Sequence, residues 1–158
     1  MNSNRHPLRL NVGFIISQSI GYNRDFEFEF PNIRLQSEMD LTNFHGVAKI
    51  SRTPQGLLCQ AHFHADTLLD CVRCLEPAFS HLDTEFDELY AFSSRTASES
   101  NLILPDDAHI DLEPLVHEYL TIEIPIRPLC KPDCLGLCPI CGENLNERGC
   151  EHQTQPVE

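Results

Sequence analysis

The segment Cys130-x3-Cys134-x3-Cys138-x2-Cys141-x8-Cys150-x-His152 puts five thiols and an imidazole within 23 residues. Zinc takes four nitrogen or sulfur ligands in a tetrahedron, and ligands two to four residues apart let one tight turn present two of them. Leu137 to Gly142 (LCPICG) has that form. Pro139 stiffens the turn, and Gly142 lets the backbone fold back so that N–H groups face the sulfurs. The spacing predicts a C-terminal zinc knuckle with structural zinc held by Cys134, Cys138, Cys141 and Cys150. Cys130 competes with Cys134 for the fourth place, and His152 is a reserve ligand.

A second pair, Cys71-Val-Arg-Cys74, stands ahead of Pro77. A C-x2-C pair can be half a zinc site, a redox couple or two buried small residues. Joined to Cys138 and Cys141, it would make one composite site. The redox reading needs a depressed thiol pKa, usually supplied by a helix N-terminus. Here the pair follows strand-like sequence instead.

That strand-like character dominates the first ninety residues. Arg24 to Phe30 (RDFEFEF) alternates, with Phe26, Phe28 and Phe30 on one face, as a half-buried strand requires. Leu8 to Ile16 reads as an earlier strand. Leu41 to Thr53 and Leu57 to Leu69, joined at Pro54-Gln55-Gly56, read as a hairpin. On its second arm Leu57, Cys59, Ala61, Phe63 and Ala65 share the inner face. His62 and His64 fall on the outer face and could pair around a metal, but alternate polar positions on a wet sheet explain them more simply.

Phe79 to Phe92 reads as a returning strand, and Ser93 to Asp107 as a polar linker or loop. Asp111 to Ile124 reads as a helix, with Asp111 as N-cap, Pro114 in the first turn and an apolar stripe of Leu112, Leu115, Val116, Tyr119 and Leu120. Pro125 and Pro128 end it. The expected fold is therefore α+β, mainly an antiparallel sheet or partly closed barrel with one helix. The expected division is a β-rich domain over 1–128 and a cysteine tail over 129–158. No internal repeat is evident at this level.

The chain carries 24 acidic and 11 basic residues, a formal charge of −13. Neutralising a phosphate backbone takes clustered Lys and Arg, and here they are scattered. Binding to naked RNA is expected to be weak and binding to a basic protein stronger. G-x-S-x-G, H-E-x-x-H and phosphate-cradling glycine loops are absent from the sequence, so no catalytic residue is nominated. The polar start, Met1 to Pro7, resembles no signal peptide, and no run is long enough for a membrane span. The expectation is a cytoplasmic protein with reduced thiols.

Cys71 to Pro77 (CVRCLEP), followed by Leu129 to Cys150 (LCKPDCLGLCPICGENLNERGC), resembles the YceD family of large ribosomal RNA subunit accumulation proteins. Pro7 to Gly13 (PLRLNVG), the Phe strand and the helix before Pro125 fall in that family's order. The resemblance implies a bacterial cytoplasmic factor for synthesis, processing or stability of large-subunit ribosomal RNA. It implies no established enzyme activity and a precursor of the large ribosomal subunit as the setting. With the acidic charge, contact through a basic ribosomal protein or assembly factor is expected. Family members often end in C-x-C, where this chain has Cys150-Glu151-His152. Two alternatives stand beside this reading: a thiol-redox protein using Cys71 and Cys74, and a generic zinc-stabilised interaction adaptor.

Overall fold

The computed structural model describes residues 6–154. They form two compact units, one from the chain up to Asp66 with Leu82–Glu123, the other from Thr67–His81 with the chain from Ile124 onward. The elements are β1 (Arg9–Asn11), α1 (Gly13–Ile16), β2 (Asn23–Leu35), β3 (Met39–Arg52), β4 (Gly56–Asp70), β5 (Pro77–Ala91), β6 (His109–Asp111) and α2 (Glu113–Glu123), then a 3-10 turn over Glu151–Thr154. Strands β2-β3-β4-β5 lie in that order in one sheet, and β1 pairs with β6.

The antiparallel sheet and the helix after Asp111 match the sequence expectation, and the barrel does not. The sheet is open, with β2 and β5 at its edges, because four strands are too few to curl round and meet. There are also two α-helices among the described residues, not one. Leu8 to Ile16 is no continuous strand: it breaks after Asn11, whose side-chain oxygen accepts the Gly13 N–H at 3.0 Å, and α1 begins there. An Asn side chain competes with the strand ladder in this way.

Alternation along the long strands builds the core of the first unit. Leu57, Cys59, Ala61, Phe63 and Ala65 of β4 are all buried. Rings run across the sheet from Phe28 to Phe63 (5.7 Å between centroids), Phe63 to Phe44 (5.2 Å) and Phe63 to Phe86 (6.3 Å). In β2, Phe28 is buried while Phe26 and Phe30 are half-buried. Beyond Pro31 the buried positions shift to Ile33 and Leu35.

Helix α2 covers this core. Leu112, Leu115, Val116 and Leu120 are buried, and Tyr119 stacks on Phe86 at 4.6 Å. The Asp111 carboxylate accepts the Glu113 N–H at 3.0 Å, the capping contact that its position suggested. The opposite face of the sheet carries Asp25, Glu27 and Glu29 on β2 and Asp83, Glu85 and Asp87 on β5, all exposed.

The division of the chain differs from a cut at 128/129. The segment Thr67–His81 joins the C-terminal part, because it carries Cys71 and Cys74 to Cys130 and Cys134. Those four sulfurs gather in one place.

Candidate metal centres

The second unit has little apolar core of its own. Its buried hydrophobic cluster is Cys71, Cys74, Ala78 and Cys134, with Leu129 and Leu137 packed against it. Val72, Leu75, Leu135 and Ile140 point outward. So small a unit normally needs a disulfide or a metal to hold it. All eight cysteines are free.

Strand β4 ends at Asp70 and β5 starts at Pro77, so Cys71 and Cys74 form the connection between them. The N–H of Leu75 donates to the Cys71 carbonyl at 2.9 Å, and the N–H of Cys71 donates to the Glu76 carbonyl at 2.8 Å. Around Cys138 and Cys141 the bonds recur: Gly142 N–H to Cys138 carbonyl at 2.9 Å, and Cys138 N–H to Glu143 carbonyl at 2.8 Å. Leu75 and Gly142 both have positive φ, 63° and 79°. The two turns are one device used twice, written as CVRCLE and CPICGE. The sequence therefore does contain a short internal repeat.

The side chains sort into two sets of four. Cys71, Cys74, Cys130 and Cys134 bring their sulfurs within 4.8 Å of one another, and Cys138, Cys141, Cys150 and His152 do the same with three sulfurs and a ring nitrogen. The ligand set read from spacing is thus divided. Cys138, Cys141 and Cys150 come together with His152, the reserve ligand. Cys134 lies in the other cluster, beside Cys71 at 3.7 Å, while Cys74 and Cys130 are 3.5 Å apart. The composite of Cys71 and Cys74 with Cys138 and Cys141 does not assemble either. The missed partnership was Cys130 and Cys134 with the β4–β5 connection. Its signal was the count of ligand pairs: four short-spaced pairs make two tetrads.

Local contacts fix the first cluster. Arg73 donates to the Cys134 carbonyl at 2.9 Å, and the Leu137 N–H donates to the Arg73 carbonyl at 3.1 Å. The Asn146 amide donates to the Cys134 sulfur at 3.3 Å, and its carbonyl accepts the Leu135 N–H at 2.9 Å. Such outer contacts orient ligands for a metal.

Electrostatics follow the same plan. Burial opposes ionisation of Cys71, but N–H groups of Cys130, Cys74 and Arg73 facing its sulfur hold the thiol down at about 6. The Cys141 and Ile140 N–H groups outweigh burial at Cys138 and bring it to about 6 as well. At Cys134 the Asn146 amide and the Gly136 N–H overcome burial and lower the thiol. Cys130 is pushed up to about 12, first by its hydrogen bond with Cys74 and then by burial. Each cluster prepares thiolates on some sulfurs and leaves protons on others, as in a site that releases protons when a cation enters.

The geometry fits zinc. With Zn–S near 2.3 Å, tetrahedral sulfurs stand about 3.8 Å apart, close to the separations at Cys71/Cys134 and Cys74/Cys130. In the second cluster the His152 Nδ1 atom is buried with no hydrogen-bond partner among the described residues. A buried orphan nitrogen is costly unless something ligates it. Four thiolates, or three thiolates and an imidazole, are both closed sets for zinc.

Comparison with known proteins gives a consistent picture. The family model described as "Large ribosomal RNA subunit accumulation protein YceD" matches residues 59–158, a stretch that contains both clusters. Uncharacterized proteins of Mycobacterium tuberculosis and Mycobacterium bovis are 33% identical over 110 residues, covering 66% of this chain and 53% of theirs. The chain thus spans about half the length of these relatives. An Arabidopsis thaliana protein named "Large ribosomal RNA subunit accumulation protein YCED homolog 1, chloroplastic" is 36% identical over 47 residues, 30% of this chain and 15% of that one. No solved structure matches the chain.

Proposed function

This chain belongs to the YceD family of large ribosomal RNA subunit accumulation proteins, and we propose that it serves large-subunit biogenesis as a non-catalytic binding protein whose two cysteine clusters hold structural zinc. The observation that carries this reading is the match over residues 59–158, which takes in the four cysteines of the first cluster and the three cysteines and histidine of the second. A role in accumulation of large-subunit RNA follows from the family. The step served and the direct partner are our inference.

Zinc, when bound, supplies cross-links where a hydrophobic core is missing. Four protein ligands in each set leave no open position for a substrate or water, and a catalytic zinc needs one. Cys71, Cys74, Cys130 and Cys134 would tie the β4–β5 connection to the chain after Pro128. Cys138, Cys141, Cys150 and His152 would close the last turns. The depressed Cys71 thiol also suits a redox couple, but Cys71 is fully buried and faces three other cysteines. A redox thiol must be reachable, so the metal reading is favoured.

The direct partner we infer is a basic protein of the precursor particle. The exposed sheet face bearing Asp25, Glu27, Glu29, Asp83, Glu85 and Asp87 repels phosphate and attracts Lys and Arg. The setting we infer is the cytoplasm of a bacterium. No helix among the described residues is long and apolar enough to cross a membrane.

A gradient separation of cell extract tests the reading. The protein is expected to sediment with large-subunit precursors, and its loss to lower large-subunit RNA relative to small-subunit RNA. Nuclease treatment of a pull-down is expected to leave a basic protein attached. Sedimentation only at the top of the gradient, with unchanged RNA ratios, would overturn it.

A further inference from the structure

The outer face of the sheet holds a third group of metal-ligating side chains, sharing no residue with the two cysteine clusters. His62 and His64 sit two residues apart on β4, so a strand presents both to the same side. Their rings lie 4.7 Å apart. The neighbouring strand β5 brings Asp83 up to them. One carboxylate oxygen, Oδ1, receives His62 Nε2 at 2.6 Å and His64 Nδ1 at 3.5 Å. The spacing of the histidines alone allows a metal pair but is explained more simply by alternate polar positions on a wet surface. What the fold adds is a carboxylate oxygen aimed at both rings.

We propose that His62, His64 and Asp83 form a surface site for a borderline divalent transition-metal ion such as Zn2+ or Ni2+. Two imidazole nitrogens and a carboxylate oxygen are a donor set suited to these ions rather than to Ca2+ or Mg2+. The three ligand atoms lie within 4.8 Å of one another. With bonds near 2.1 Å, ligand atoms round a tetrahedral ion stand about 3.4 Å apart. The His64 contact already has that separation, and the exposed His62 side chain has room to open its own.

Both rings can donate an N–H to this oxygen. A cation in place of those protons takes all three atoms as ligands. The His45 ring stacks on that of His64 at 5.1 Å and limits its rotation. Glu85 and Asp87, in the adjoining groove with Lys49 and Gln60, add negative potential that favours a cation. Three protein ligands leave at least one position open to water or to a donor from a partner. With side chains 43–58% exposed, the ion exchanges with solution. That separates it from the closed cysteine sets.

The test uses the full chain without an affinity tag, dialysed to constant zinc content so that any tight sites are already filled. Zn2+ is then titrated by calorimetry while the histidine ring resonances are followed by NMR. One further equivalent is expected, shifting the His62 and His64 rings. Its affinity should fall about tenfold or more in His64→Gln and in the double variant His62→Gln/His64→Gln. His6→Gln, in a separate cluster with Asp111 and Glu113, should leave it unchanged. These side chains point to solvent, so the variants keep their core. The proposal is overturned by no further equivalent in the native chain, or by one that the double variant binds equally well. Because the starting zinc content is measured, whatever its value, this outcome is independent of the cysteine clusters.

Discussion

Leu75 and Gly142 hold equivalent backbone positions, each directly after the second cysteine of a C-x2-C turn, with φ of 63° and 79°. Each donates its N–H to the carbonyl of the first cysteine, Cys71 or Cys138, at 2.9 Å. Glycine adopts this conformation freely, whereas a leucine is strained in it by roughly 1 kcal/mol. Leu75 is 66% exposed, so its side chain returns little packing.

Opposite substitutions at these two positions should therefore have opposite effects. Leu75→Gly is expected to tighten metal binding at the first cluster by several-fold. Gly142→Ala is expected to weaken the second by a similar factor through strain alone, since a Cβ there meets nothing within 4 Å. Competition with a chromophoric chelator reads both. Equal, negligible effects would mean that the turns are not under this strain.

Single ligand substitutions should separate the clusters. Cys71→Ser or Cys134→Ser is expected to remove one ion and leave Cys138, Cys141, Cys150 and His152 loaded. Cys138→Ser is expected to do the reverse. Native mass spectrometry of the three variants counts the ions. If Cys134→Ser and Cys138→Ser abolish the same ion, the ligand set read from spacing would describe the protein better.

Much of the sheet was legible because burial acts at a period of two, and the inner residues Leu57 to Ala65 record it directly. The stripe of α2 and its Asp111 cap were legible for a similar local reason. Cysteine partnership was not. Cys74 and Cys130 meet across 56 positions, and that meeting depends on where β4 and β5 turn. Local spacing offered Cys134 equally to either neighbour. The break at Asn11 was missed because one side-chain hydrogen bond overrode an apolar stretch.

The core should be intolerant at Gly46. A Cβ there would run into the His62 carbonyl and the Phe63 ring on the adjacent strand, so Gly46→Ala must push β3 from β4. A loss of about 2 kcal/mol or more is expected from overpacking and lost ladder bonds. Chemical denaturation measures it, and a loss below about 0.5 kcal/mol would show that the strands separate at little cost.

Tyr119 should titrate abnormally. Its hydroxyl donates to Glu88 Oε1 at 2.7 Å, and this bond, with burial adding to it, pushes the phenol up to about 12 from 10.0. The neutral form is the one stabilised in the fold. That stabilisation is complete below pH 10 and is lost as pH rises through about 12. Tyrosinate absorbance should show this transition, lost in Tyr119→Phe and earlier in Glu88→Gln, while Tyr90, which burial also raises, titrates later still. A transition that Glu88→Gln leaves in place would contradict the assignment.

The central claim is two structural metal centres in one chain of an RNA-accumulation family, and their count tests it most directly. Native mass spectrometry of the chain purified with thiol protection is expected to show two zinc ions per chain, both retained at neutral pH and lost on acidification as protons take their place on the thiolates. A mass corresponding to one zinc, to none, or to disulfide-linked cysteines would contradict the account.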